Sequence, residues 1–176
     1  MLKESKKEEK LSLTQVKKLP YATLNRILNK MRASLKQDGV MQEAFKEYGV
    51  DIEELDYYPM KFGNLDVSAK TDHGLIIFNY KLLTDGDFEK NYGYAIHEIT
   101  HVLQQTTGTK PTQGADDGEY LHNPVEQEGF ANQIEYIANN EGEEKAEDYV
   151  DDLLEYHDVK NEKEYDKLEA ILLEKV

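Results

Sequence analysis

Apolar residues first fall at helical spacing after Pro20, where Leu24, Ile27, Leu28 and Met31 lie three or four positions apart and the stripe continues to Leu35. That spacing predicts an amphipathic helix with one buried face. Met41, Ala44, Phe45 and Tyr48 predict a second, shorter helix, stopped by Gly49. From Val50 to Lys70 the period changes, and Tyr57, Tyr58, Met60, Phe62, Leu65 and Val67 predict one or two strands. The best strand follows the turn Thr71-Asp72-His73-Gly74, because Leu75-Ile76-Ile77-Phe78-Asn79-Tyr80 is rich in β-branched and aromatic residues. A short twisted sheet is expected there.

Asp85-Gly86-Asp87 then supplies capping residues for a helix from about Phe88 to Gln105, closed by Gly108 and Pro111. Gly93 inside it costs about 1 kcal/mol relative to alanine, and close packing on the sheet is the expected compensation. Residues 108–123 are rich in glycine and small polar residues and read as a surface loop long enough to cover a cleft. Asn123 as cap and Pro124 in the first turn open a helix reaching about Asn139. Tyr149, Val150, Leu153 and Leu154, then Tyr165, Leu168, Ile171 and Leu172, mark two further amphipathic helices. Residues 1–18 are mostly charged and polar, with Leu11, Leu13 and Val16 as apolar anchors, and read as a mobile arm. The expected organisation is that arm, an α+β domain over residues 19–140, and an acidic C-terminal helical pair over residues 141–176 packed on it.

Composition changes this picture in three ways. With 39% hydrophobic and 32% charged residues, the chain has no apolar run near the roughly 20 residues of a membrane span. Its charged start lacks a signal-like stretch, so no membrane association and a cytoplasmic location are expected. A net charge of −15 repels a phosphate backbone, which argues against nucleic acid as a partner. Zero cysteines leave only His, Asp and Glu as strong metal ligands.

Those ligands occur together once. His97-Glu98-Ile99-Thr100-His101 is an HExxH motif, and on a helix its histidines sit one turn apart on one face, so both can hold one ion while Glu98 reaches a water beside it. Catalytic zinc takes three protein ligands and keeps one position open. The metzincin pattern needs a further histidine close behind, where Gln104 and Thr107 stand. The third ligand is therefore sought on the helix after the loop, among Glu126, Glu128 and Glu135. At 100° per residue, Glu126 shares a face with Phe130, Ile134 and Ile137, whereas Glu128, Glu135 and Asn132 fall about 180–240° away, on the expected solvated side. A carboxylate on the inward face needs a cation or a partner, which favours Glu126. Glu128, with Asn132 four residues on, stays as the alternative ligand. His122, Tyr120, His73 and Tyr80 are the candidate oxyanion donors.

Taken together, Leu75 to Asn79, the HExxH helix and Pro124-Val125-Glu126-Gln127-Glu128-Gly129 resemble the minimal zincins of the glutamate-ligand class, closest to the ImmA/IrrE type, over residues 50–140. The resemblance implies a short mixed sheet, an active-site helix and a following ligand helix. It also implies zinc on His97, His101 and Glu126, Glu98 as general base, and an extended substrate paired along the strand at Leu75 to Tyr80. This chain has Gly129 where that family has alanine, and Phe130 where a small polar residue is common. The expected function is a zinc-dependent endopeptidase cleaving a protein or peptide bond with a zinc-activated water. The alternative is a catalytically silent zinc-binding structural or interaction protein.

Overall fold

The computed structural model describes residues 10–108 and 120–176. The first half of the expected N-terminal arm and most of the expected loop, residues 109–119, lie outside them. From Ser12 onward the arm forms a short helix α1, Leu13–Lys17. Ser12 and Gln15 cap it reciprocally: the Gln15 amide donates to Ser12 Oγ at 3.2 Å and the Ser12 amide to Gln15 Oε1 at 2.8 Å. Its Val16 is fully buried.

Helices α2, Tyr21–Lys36, and α3, Gly39–Glu47, match the first two apolar stripes. Asp38 caps α3 by accepting from the Val40 and Met41 amides. A 3-10 turn at Ile52–Tyr57 then leads into strands β1, Met60–Gly63, β2, Ala69–Asp72, and β3, Leu75–Asn79. His73 and Gly74 join β2 to β3 in a two-residue hairpin with φ of 48° and 81°, the left-handed pair that matches strand twist. The order is β1-β3-β2, with β3 parallel to β1 and antiparallel to β2.

The fold is thus α+β with a small mixed sheet. One expectation is corrected by this order. The strand at Leu75 to Tyr80 is the one expected to receive an extended substrate, but β3 is central and hydrogen-bonded on both sides. It therefore has no free edge. The Asn79 amide donates to Ser68 O, and antiparallel alternation then turns the backbone groups of Ala69 and Thr71 away from β3. Strand β2 is the edge strand on the side of Glu98, and β1 is the other edge.

Beneath the sheet, Phe62, Phe78, Phe88 and Tyr92 pack with ring centroids 5.4–5.9 Å apart. Burial there, with Glu89 and Asp87 nearby, pushes the Tyr92 phenol up to about 12. The helix expected from Phe88 opens instead as a 3-10 turn, Phe88–Asn91, and continues as α4, Tyr92–Thr107. Helix α5, Pro124–Glu141, crosses it. A Cβ on Gly93 would lie 3.3 Å from Gln133 Cγ, so the close neighbour of Gly93 is α5 rather than the sheet.

Helices α6, Glu143–Tyr156, and α7, Glu162–Leu172, cover the far side of α5. Two hydrophobic cores result. One joins α1 to α4 with the sheet, and the other joins Phe130 and Ile134 of α5 to Val150, Leu154, Leu168 and Leu172. Among the described residues no helix is long and apolar enough to cross a membrane.

Candidate metal centre

Helix α4 buries nearly its whole circumference. Ala95, Ile96, Ile99, Val102 and Leu103 enter the first core, while His97 and His101 lie against α5 and Glu98 against β2. His97 Nε2 lies 3.1 Å from His101 Nε2, 3.0 Å separates it from Glu126 Oε2, and His101 Nε2 is 3.2 Å from Glu126 Oε1. All three residues are at most 8% exposed. Among the described residues this trio is the one His, Cys, Asp and Glu cluster able to hold an ion.

The surroundings of His101 decide its tautomer. The Gln104 amide donates to Val125 O at 3.1 Å, which turns its Oε1 toward His101 Nδ1 at 2.8 Å. Nδ1 must then carry the hydrogen, and Nε2 is left with a lone pair or a second proton. His97 differs, because its buried Nδ1 finds no partner among the described residues. Its ring is held by shape: Phe130 packs edge-on at 4.4 Å and Gly129 lies underneath.

Do these residues suit a metal ion? Bonds of about 2.0–2.2 Å to a tetrahedral ion place ligand atoms about 3.3–3.5 Å apart, a few tenths of an ångström beyond the separations here. Two imidazole nitrogens face each other with a carboxylate beside them, an arrangement that requires a proton or a cation between them. The donor set of two imidazoles and one carboxylate is a hydrolytic zinc set. The residues fit.

Without metal, a proton takes that place. Burial opposes charge on His101, but the hydrogen-bonded Glu126 carboxylate, with Glu98 and Gln104 behind it, raises its pKa from 6.5 to about 9. Burial likewise opposes charge on Glu126, yet hydrogen bonds from His101 and His97 hold its carboxyl far below the usual range. The His101 contribution to metal-free stability is therefore complete below about pH 6.5 and lost as pH rises through about 9. Metal affinity runs the other way. Zinc binding at pH 7 is expected to release about one proton and to tighten about tenfold per pH unit up to about pH 9. Calorimetry in buffers of different ionisation enthalpy reads this directly, and a buffer-independent heat at pH 7 contradicts it.

Glu98 stands outside the trio. The Thr71 hydroxyl, on β2, donates to its Oε2 at 2.6 Å, and Glu98 lines a 290 Å³ cavity together with β2, His101, Tyr120 and Glu126. Tyr120 contacts Glu126, and burial first, then the Glu126 and Glu98 carboxylates, drive its phenol strongly upward. It stays a hydrogen-bond donor. The other candidate donors lie elsewhere. His122 pairs with Glu164 of α7 at 2.6 Å, His73 is exposed in the hairpin beside Asp72, and Tyr80 stacks on Phe62.

Glu128 accepts from the Tyr48 hydroxyl of α3 and is not part of the cluster. The solvated side expected for Glu128, Glu135 and Asn132 is corrected too. Asn132 is 2% exposed, and Glu128 and Glu135 are half-buried. Asn132 donates to Thr100 Oγ1 at 3.1 Å and accepts from Lys175 Nζ at 2.7 Å. Sequence reasoning missed Thr71 as the partner of Glu98 and Gln104 as the partner of His101. Gln104 was legible as the residue one turn beyond a ligand; nothing local announced Thr71.

Gly129 permits the close approach of α5. A Cβ there would stand 3.1 Å from the His97 ring, and Phe130, His101 and Glu126 leave that ring nowhere to go. In Gly129→Ala the helix gains about 1 kcal/mol and overpacking costs about 1–3 kcal/mol. Thermal unfolding should therefore show stability unchanged or lowered by up to about 2 kcal/mol. Zinc affinity, measured by competition with a chelating dye, should fall about 10–100-fold, as when a ligand loses its orientation. Unchanged affinity would show that His97 is free to shift.

Compared with known protein families, curated proteins and solved structures, the chain matches none.

Proposed function

We infer that the chain is a zinc-dependent metallopeptidase of the minimal zincin kind, with His97, His101 and Glu126 as ligands. The observation that carries this reading is the convergence of three buried ligand atoms beside a carboxylate, Glu98, that is oriented but not consumed by the cluster. When bound, the ion supplies Lewis acidity, acidifying water and polarising a carbonyl. The remaining work belongs to side chains. Thr71 fixes one oxygen of Glu98, so the other takes the proton of the attacking water and returns it to the departing amine. Tyr120, kept protonated, donates toward the oxygen on which charge develops. The outer edge of β2 runs past Glu98 and offers backbone groups to an extended peptide; by this reading β2, rather than β3, takes the substrate.

The test is a digest of a randomised decapeptide library by protein carrying one zinc per chain, read by mass spectrometry. New termini that disappear with 1,10-phenanthroline and return with zinc are the expected result. Full zinc loading with no cleavage would sink the peptidase reading and leave a zinc-binding structural or interaction protein.

A further inference from the structure

A 130 Å³ space bounded by His97, Glu98, Tyr120 and Phe130 shares lining residues both with the metal cavity and with a 760 Å³ cavity beyond Tyr120, a volume in the range of sites that hold a small ligand. Val67 and Tyr120 wall all three spaces. An aromatic ladder runs outward from the ligand His97: Phe130 at 4.4 Å, Tyr120 at 5.9 Å from Phe130, His157 stacked on Tyr120 at 5.2 Å, and Tyr156 edge-on to His157 at 5.2 Å.

Three further observations indicate what fills this cavity. Val67 and Tyr156, in its wall, are 49% and 84% exposed, an apolar display on a chain that is otherwise highly charged. The wall is also rigid where it meets the sheet, because Asn79 Nδ2 donates to the carbonyls of Leu65 and Val67 at 2.9 Å. Apart from His157, its charged side chains are one of each sign, Asp66 and Lys81, so it selects neither charge.

We propose that the large cavity is the specificity subsite for an aromatic or bulky apolar side chain of the substrate, with α6 supplying its outer wall through Leu153, Tyr156 and His157. This rests on the peptidase reading. Strand geometry sets the place. From Thr71, beside Glu98, to Ser68, in the wall of the large cavity, is about 10 Å at about 3.3 Å per residue. The selected residue therefore lies two or three positions from the cleaved bond. The first helix of the acidic pair acts as part of the substrate site.

Two measurements on the full chain test this. Cleavage sites from the randomised decapeptide library should show about tenfold or greater enrichment of Phe, Tyr, Trp or Leu at one such position. N-acetyl-L-tryptophanamide, but not N-acetyl-L-alaninamide, should shift the NMR signals of Leu153, Tyr156 and His157, even in Glu98→Gln protein. Leu153→Trp, which fills the cavity, should abolish both effects, and Tyr156→Ala, at an exposed position that folding tolerates, should weaken both. Cleavage without enrichment, or enrichment unchanged in both variants, overturns the subsite and leaves the peptidase reading standing. Tryptophanamide bound in the cavity by zinc-loaded protein that cleaves nothing supports the aromatic pocket and sinks the peptidase reading. Neither binding nor cleavage overturns both.

Discussion

Glu126→Ala should leave the protein unable to retain zinc, taking metal content from about one ion per chain to nearly none. On the proposed reading the carboxylate is one of three ligands; its two oxygens lie 3.0 and 3.2 Å from the histidine nitrogens, and no other described acid joins that cluster. The same change also harms the metal-free fold. It removes the anion beside a buried His101, and breaking a buried pair from one side costs about 3–5 kcal/mol. Glu126→Gln keeps the shape and loses the charge, separating the two effects. Glu128→Ala should keep its zinc and lose about 1.5–3 kcal/mol with the Tyr48 hydrogen bond. Metal analysis with thermal unfolding reads all three variants. Zinc retained in Glu126→Ala and lost in Glu128→Ala would move the third ligand to Glu128.

Glu98→Gln should cut cleavage by about 10²–10⁴-fold, the usual worth of a general base, with zinc content unchanged. Glutamine keeps an oxygen for the Thr71 hydroxyl, so the local shape survives while proton acceptance is lost. Turnover of a library-derived peptide, measured beside metal content in one preparation, is the check. Turnover within about threefold of wild type would remove Glu98 from the chemistry. Loss of zinc in this variant would instead make Glu98 a ligand.

The strongest local signals are legible in the sequence alone: the HExxH helix, the hydrophobic strand at Leu75 and the capped helix bearing Glu126. Each rests on periodicity or capping within one segment, where neighbours in sequence are neighbours in space. What sequence misses depends on neighbours far along the chain. Asn132 sits opposite the apolar stripe of α5, yet it is buried because Thr100, 32 residues away, and Lys175, 43 residues away, meet it there. A helix enclosed on several sides has no solvated face for a wheel to find. The sheet order escapes for a related reason, although a signal exists. Leu75-Ile76-Ile77-Phe78 is apolar throughout and Ala69-Lys70-Thr71-Asp72 mixes small, polar and charged residues, the marks of a central and an edge strand, and the burial of the two strands agrees. Thr71 reaches Glu98 only once β2 takes that edge.

The two hydrophobic cores meet along the seam between α4 and α5, and the candidate metal centre lies on it, with both histidines contributed from one side and the glutamate from the other. An ion held there acts as a rivet. It binds neither half alone with all three ligands, so its binding free energy appears only when both halves are folded and in register. On the proposed reading, metal loading drives the protein toward one cooperative unit, and metal supply would set how firmly the helices that wall the aromatic cavity are fastened to the helix that bears His97, Glu98 and His101.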